Sequence, residues 1–111
     1  MPEQSGVIPL LQEAVQRLHR CKAVHCETVF VHEIFQGQTL WAGDVEIFDI
    51  VGHPKSKRCF AWPQPAEGVG FECVALLELW PVTSPETALR VVIALDAPIG
   101  SQTRLTAGLV R

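Results

Sequence analysis

An α+β fold is predicted: a two-layer sandwich in which a four- or five-stranded antiparallel sheet carries an N-terminal and a C-terminal helix on one face. Three observations predict it. Apolar residues recur at helical spacing near the N-terminus, four β-rich segments follow between residues 25 and 80, and a capped apolar run opens at Ser84. Consecutive strands joined by short turns pair antiparallel, and each helix must bury its apolar stripe on the sheet they form.

Residues 1–6 read as a ragged start. From Pro9 to about Cys21, the side chains of Leu11, Ala14, Val15, Leu18 and Cys21 fall on one helical face, and Gln12, Glu13, Gln16, Arg17 and Arg20 take the other. Pro9 suits a first turn, and the late cations suit the negative end of the helix. "HCETVFVHEIF" (25–35) is rich in β-branched and aromatic residues and reads as a strand, turned by "GQ" at 37–38. "TLWAGDVEIFDIV" (39–51) is the second strand. Val45 and Ile47 share one face, then Phe48 and Ile50 the other, so either a bulge or burial of both faces is expected there.

"KRCFAW" (57–62) is the third strand and "PQPAEG" a loop. "VGFECVALLELW" (69–80) is the fourth, with Phe71, Cys73, Ala75, Leu77 and Leu79 inward and Glu72 and Glu78 outward. Ser84, Pro85 and Glu86 then form a helix start: cap, N1 proline and an acid in the first turn. The β-branched run Val91–Ile93 offers a buried strand as the rival reading of 85–95, and the helix is preferred. Residues 97–111 form either a tail or an added edge strand. The whole chain is one domain, 1–111, and the sheet face carrying Val74 and Leu76, with Phe48 and Ile50, is left uncovered.

Composition narrows the function classes. Apolar residues make up 48% and charged residues 19% of 111, so apolar surface is expected to meet a partner subunit or a ligand. A homo-oligomer follows, most simply a two-fold dimer. A net charge of −3 argues against wholesale nucleic-acid binding. No apolar stretch reaches the roughly 18 residues of a membrane span. The opening "MPEQSGVIPLL" has an early acid and too short an apolar run for a leader, so a cytoplasmic protein with four reduced cysteines is expected.

The stretch "FDIVGHPKSKRCFAW" (48–62) is the most site-like. Gly52 and Pro54 make a hairpin turn, with His53, Lys55, Lys57 and Arg58 at its tip and Asp49 within cross-strand reach. A plain turn is the preferred reading, and an anion clamp of His53, Lys55, Lys57 and Arg58 the functional one. His32, on the face of Phe30 and Ile34, is either a core histidine or part of a pocket.

Other constellations are weaker. His25, Cys26, His32 and Glu33 are metal-competent, but strand alternation splits them into His25 with Glu33 and Cys26 with His32 on opposite faces, so no metal is predicted. Cys59 and His53 point apart on the same logic. Asp44 and Glu46 share a strand face and read best as solvated, with acid–base chemistry as the alternative if a partner roofs them. There is no phosphate loop, dinucleotide glycine pattern, nucleophile elbow or zinc-protease motif, and no cofactor is predicted.

"VEIFDIVGHPKSKRCFAW" and "LLELWPVTSPETALRVVI" together resemble a group of short hypothetical bacterial proteins, some carried on mobile integron gene cassettes. The resemblance runs from about His32 to Leu95, with "GHPK-KR" and "PV-SP-TA" its most specific elements. It implies a bacterial cytoplasmic origin and brings no activity or site residue with it. The expectation is therefore a non-enzymatic homo-oligomeric module that binds a small molecule, an anion or a protein. The alternative is a small enzyme with a pocket between sheet and helices, using His32, Glu33, His53 or Asp49.

Overall fold

The computed structural model describes residues 2–66, 70–96 and 109–110. In chain order they form α1 (Pro2–His19), β1 (Lys22–Phe35), β2 (Gln38–Val51), β3 (Arg58–Ala66), β4 (Gly70–Leu77), α2 (Pro85–Asp96) and the two-residue β5 (Leu109–Val110). The class is α+β, with an antiparallel sheet and two helices. Neighbours in sequence are neighbours in the sheet, from β1 to β4, and β5 adds a short rung on the outer side of β4. The rest of the segment 97–111, expected as a tail or edge strand, lies outside the described residues.

The expected single helical layer is not what forms. Val45 and Ile47 of β2, Phe60 and Trp62 of β3 and Val74 of β4 pack with Ala88, Leu89 and Val92 of α2. Phe48 and Ile50 of β2, Cys59 and Ala61 of β3 and Ala75 of β4 pack with Leu11 and Val15 of α1. The two sets have opposite parity along every strand, so they lie on opposite faces. The helices therefore sandwich the sheet, and Val74 and Phe48, expected on one open face, are covered by different helices. Phe48, Phe60 and Trp62 are almost wholly buried. The alternation of β2 is regular there, and it is burial of both faces that makes Val45–Ile50 read as broken.

Local signals explain the elements. α1 begins well before Pro9, which lies inside the helix, and residues 2–6, expected to be ragged, are helical. Arg20 ends it in the left-handed region, φ 55°, a common helix stop. The β1–β2 turn is Gln36–Gly37, one residue earlier than expected, with φ 52° and 78°; two successive positive φ angles match the right-handed twist of a tight hairpin. α2 is the helix its start signal predicted. Thr87 N–H donates to Ser84 Oγ (3.2 Å), and Ser84 N–H donates to Thr87 Oγ1 (2.9 Å), a reciprocal cap.

Two prolines shape the middle of the sheet. β3 continues to Ala66, beyond the Trp62 expected, because its residues of even number face β4. Ile50 N–H donates to Lys57 O and Glu78 N–H to Arg58 O, which fixes that parity. Pro63 and Pro65 have the odd parity, so the N–H groups they lack are those that would have faced β2. Pairing of β2 with β3 accordingly covers Glu46–Asp49 against Arg58–Ala61 and stops at the prolines. Beyond that point the β1–β2 hairpin runs on as a two-stranded arm, paired to its turn.

Candidate functional site

The "GHPKSKR" loop gathers some of the predicted residues beside two carboxylates. Asp49, His53, Lys57 and Arg58 line a concavity of about 570 Å³ together with Ser56 and Glu78. Two carboxylates thus stand among the cations. Arg58 Nε is 3.6 Å from Asp49 Oδ1, its partner directly across the strands. His53 Nδ1 accepts the backbone N–H groups of Lys55 (3.0 Å) and Ser56 (3.2 Å). The ring therefore carries its proton on Nε2 and serves as a turn brace. The lysine side chains at 55 and 57 are exposed.

Ser56, which sequence reasoning passed over, is the buried residue of this loop. Its Oγ lies 2.9 Å from Arg58 O and 3.2 Å from Glu78 O, so the hydroxyl donates to the carbonyls that tie the loop to the end of β4. Such side-chain to backbone bonds are what Ser offers in turns. The loop is thereby stapled to the end of β4.

The second constellation lies on the α1 face. The register of β1 against β2 skips at Cys26: His25 opposes Phe48 and Glu27 opposes Ile47. This bulge changes the parity of β1, so His25, Thr28 and His32 all share a face with Glu46, and Glu33 goes to the other. The expected split of His25 from His32 is thereby corrected. Glu46 is 3% exposed, against the solvated face expected for it. Its Oε1 accepts from His25 Nε2 at 2.7 Å and from the Thr28 hydroxyl at 2.5 Å. The His25 ring stands edge-on to Phe48, 5.4 Å between centroids.

Next to this trio the splayed prolines leave a groove of about 490 Å³, lined by Val7, Ala42, Asp44, Glu46, Pro63 and Pro65 among others. Glu72, expected outward, is also buried, on the α2 face. Glu33 is held by Arg90 of α2 at 2.9 Å. His32 is exposed, hydrogen-bonded to Thr39 at 2.7 Å and edge-on to Phe30 at 6.5 Å. It is neither a core histidine nor near the loop of His53. Of the four enzyme candidates, His53 and Asp49 share the loop concavity, while Glu33 is held by Arg90 and His32 stands apart on the arm.

The third feature is the arm itself. Phe30, Ile34, Phe35 and Leu40 are 64%, 56%, 60% and 48% exposed, all on the part of the hairpin that extends past β3. The sequence puts only Phe30 and Ile34 on a shared face with His32; that the arm runs past β3 and exposes them depends on where the prolines end the β2–β3 pairing.

Among the described residues no group of three or more His, Cys, Asp or Glu side chains could hold a metal ion, and no helix is long and apolar enough to cross a membrane. No family model, curated protein or solved structure matches the chain.

Proposed function

We propose that the chain is a non-enzymatic binding module of the bacterial cytoplasm that works as a homo-oligomer, most simply a dimer. The observation that carries this reading is the apolar arm: Phe30, Ile34, Phe35 and Leu40 stand outside both cores. Large apolar side chains grouped at one end of a small domain mark an interaction surface. The groove beside the arm, walled by Val7, Pro63 and Pro65, suits a small molecule with an apolar body. Light scattering at high micromolar protein is the test. A mass of twice 12.2 kDa or more supports the reading, and 12.2 kDa overturns it.

One observation favours a second reading, a small enzyme. His25 and Glu46 form a hydrogen-bonded pair whose carboxylate also lines the groove. A histidine oriented by a buried carboxylate is the arrangement of a general base. A metabolite screen by thermal shift separates the two: a ligand consumed on incubation by the parent and left intact by His25→Ala makes it an enzyme.

A further inference from the structure

Among the described residues β1 is the open edge of the sheet, and the chain treats its two halves differently. At Ala23 the outward-facing backbone is closed from within: Gln12 Nε2 donates to Ala23 O (2.6 Å), and Ala23 N–H donates to Gln16 Oε1 (3.0 Å). Two glutamines of α1 thus replace a neighbouring strand. Ala23 opposes Ile50, whose N–H turns toward β3. Residues of β1 that oppose β2 residues of the same parity face the open edge in turn. They include Thr28, Phe30 and His32, opposite Glu46, Asp44 and Ala42. Here α1 supplies no hydrogen bonds like those at Ala23, and three large exposed apolar side chains of β1, Phe30, Ile34 and Phe35, are on this half, against Val24 alone on the other.

We propose that residues 27–35 of β1 pair antiparallel with the same residues of a second copy, about a two-fold axis at Val31. This rests on the homo-oligomer reading and names its interface. An antiparallel edge pair has its axis perpendicular to the sheet, so opposed residues must share a face and the register is restricted to alternate positions. An axis at Phe30 sets Glu27 opposite Glu33, two like charges face to face. An axis at His32 runs Thr28 into the turn at Gln36 and shortens the ladder. The axis at Val31 sets Glu33 opposite Val29, Glu27 opposite Phe35, Thr28 opposite Ile34 and Phe30 opposite His32.

That register joins the apolar surfaces. Phe30 then lies diagonal to Phe30 and Ile34 of the second copy, within the reach of aromatic cross-strand neighbours. The two Phe30 rings, each about three-fifths exposed, bring roughly 250 Å² to one face of the contact, and the Phe35 rings lie on the other face beside Glu27. Ile34 and nine residues of edge backbone from each copy carry it toward the roughly 1,000 Å² that a specific interface needs. The outward N–H and C=O groups of Thr28, Phe30, His32 and Ile34 bond across the axis.

Two measurements on the whole chain test this. In the unmodified protein, hydrogen exchange followed by NMR should show the amides of Thr28, Phe30 and His32 protected, with protection falling on dilution. His32→Pro removes an N–H that β2 does not use, a place where an edge strand tolerates proline. It should weaken dimerisation at least about tenfold while the monomer keeps its fold. A dimer in which those amides exchange freely, or which His32→Pro leaves intact, overturns the β1 interface and leaves the homo-oligomer reading standing. A monomeric parent overturns both. Should the proline variant fail to fold, the exchange of the parent decides.

Discussion

His25 Nε2 lies 2.7 Å from Glu46 Oε1, and Cys26 is the reason. Without the extra residue at Cys26, His25 and Thr28 would fall on opposite faces of β1, and Glu46 could not collect both. One exposed cysteine, by its place in the register alone, sets the His25 and Thr28 hydrogen bonds of the buried carboxylate.

That geometry fixes the first expectation. His25→Ala leaves the Glu46 carboxylate, 4% exposed, with Thr28 as its remaining donor at Oε1. A buried acceptor deprived of a partner costs about 1–3 kcal/mol. Urea unfolding should show a loss of that size; a change within about 0.5 kcal/mol would mean that water reaches the carboxylate as readily as the imidazole does.

His19 makes stability depend on pH. Its Nε2 donates to Ala75 O at 3.2 Å, and burial at the α1–sheet contact lowers its pKa below 6.5, with the nearby His53 adding to the effect and the Ala75 bond opposing it. The folded protein thus binds a proton less readily than the unfolded chain. The His19 contribution is fully present above pH 6.5, declines as pH falls below it, and is gone once pH drops below the folded value. Thermal unfolding from pH 8 to 5 should show His19→Gln losing less stability than the parent over the acidic part of that range. Equal losses would assign the acid sensitivity to other groups.

The hairpin loop separates charge from staple. Lys55, Lys57 and Arg58 changed together to Ala should alter stability by no more than about 1 kcal/mol, since the one ion pair among them is exposed. Ser56→Ala, a single atom lost, should cost about as much or more, roughly 1–2 kcal/mol, because its hydroxyl joins Arg58 O and Glu78 O. Phosphate should bind the parent and the triple variant equally weakly by calorimetry. Salt-sensitive anion binding that vanishes in the triple variant would restore the clamp.

The thiols should react in order of burial. Cys59 is buried, and burial, with Cys21 nearby, pushes its thiol well up. Burial also raises Cys21 and Cys73. Cys26 is exposed. A thiol reagent at pH 8 should modify Cys26 promptly in the native protein and all four in denaturant without reductant. Fewer than four in denaturant would reveal a disulfide.

What the sequence made legible is what local chemistry decides. The Ser84–Pro85–Glu86 start placed α2, and β-branched alternation placed the strands. What stayed hidden depends on pairing. A helix pattern says which side of the helix is apolar but not which side of the sheet it meets, so α1 and α2 were set on one face when the parity of Val45 and Phe48 sends them to two. Proline read as a loop in "PQP", yet a strand keeps going when its missing N–H groups face away from the neighbour it retains. The site suffered most: a bulge at Cys26 leaves no mark in composition, and it reverses every face assignment from Glu27 onward.

The short junction between β2 and β3 gives the molecule a mechanical seam. Thirteen paired positions hold β1 to β2 and eight hold β3 to β4, but four hold the two hairpins to each other. Those four rungs are gripped from both sides, by Phe48, Cys59 and Ala61 against α1 and by Ile47 and Phe60 against α2. Tension applied across the sheet would part it there, and only after one helix had let go. The strength of the sheet as one body therefore resides in its two helical clamps more than in its hydrogen-bond ladder, and a variant that loosens either clamp should make the two hairpins behave as separate springs.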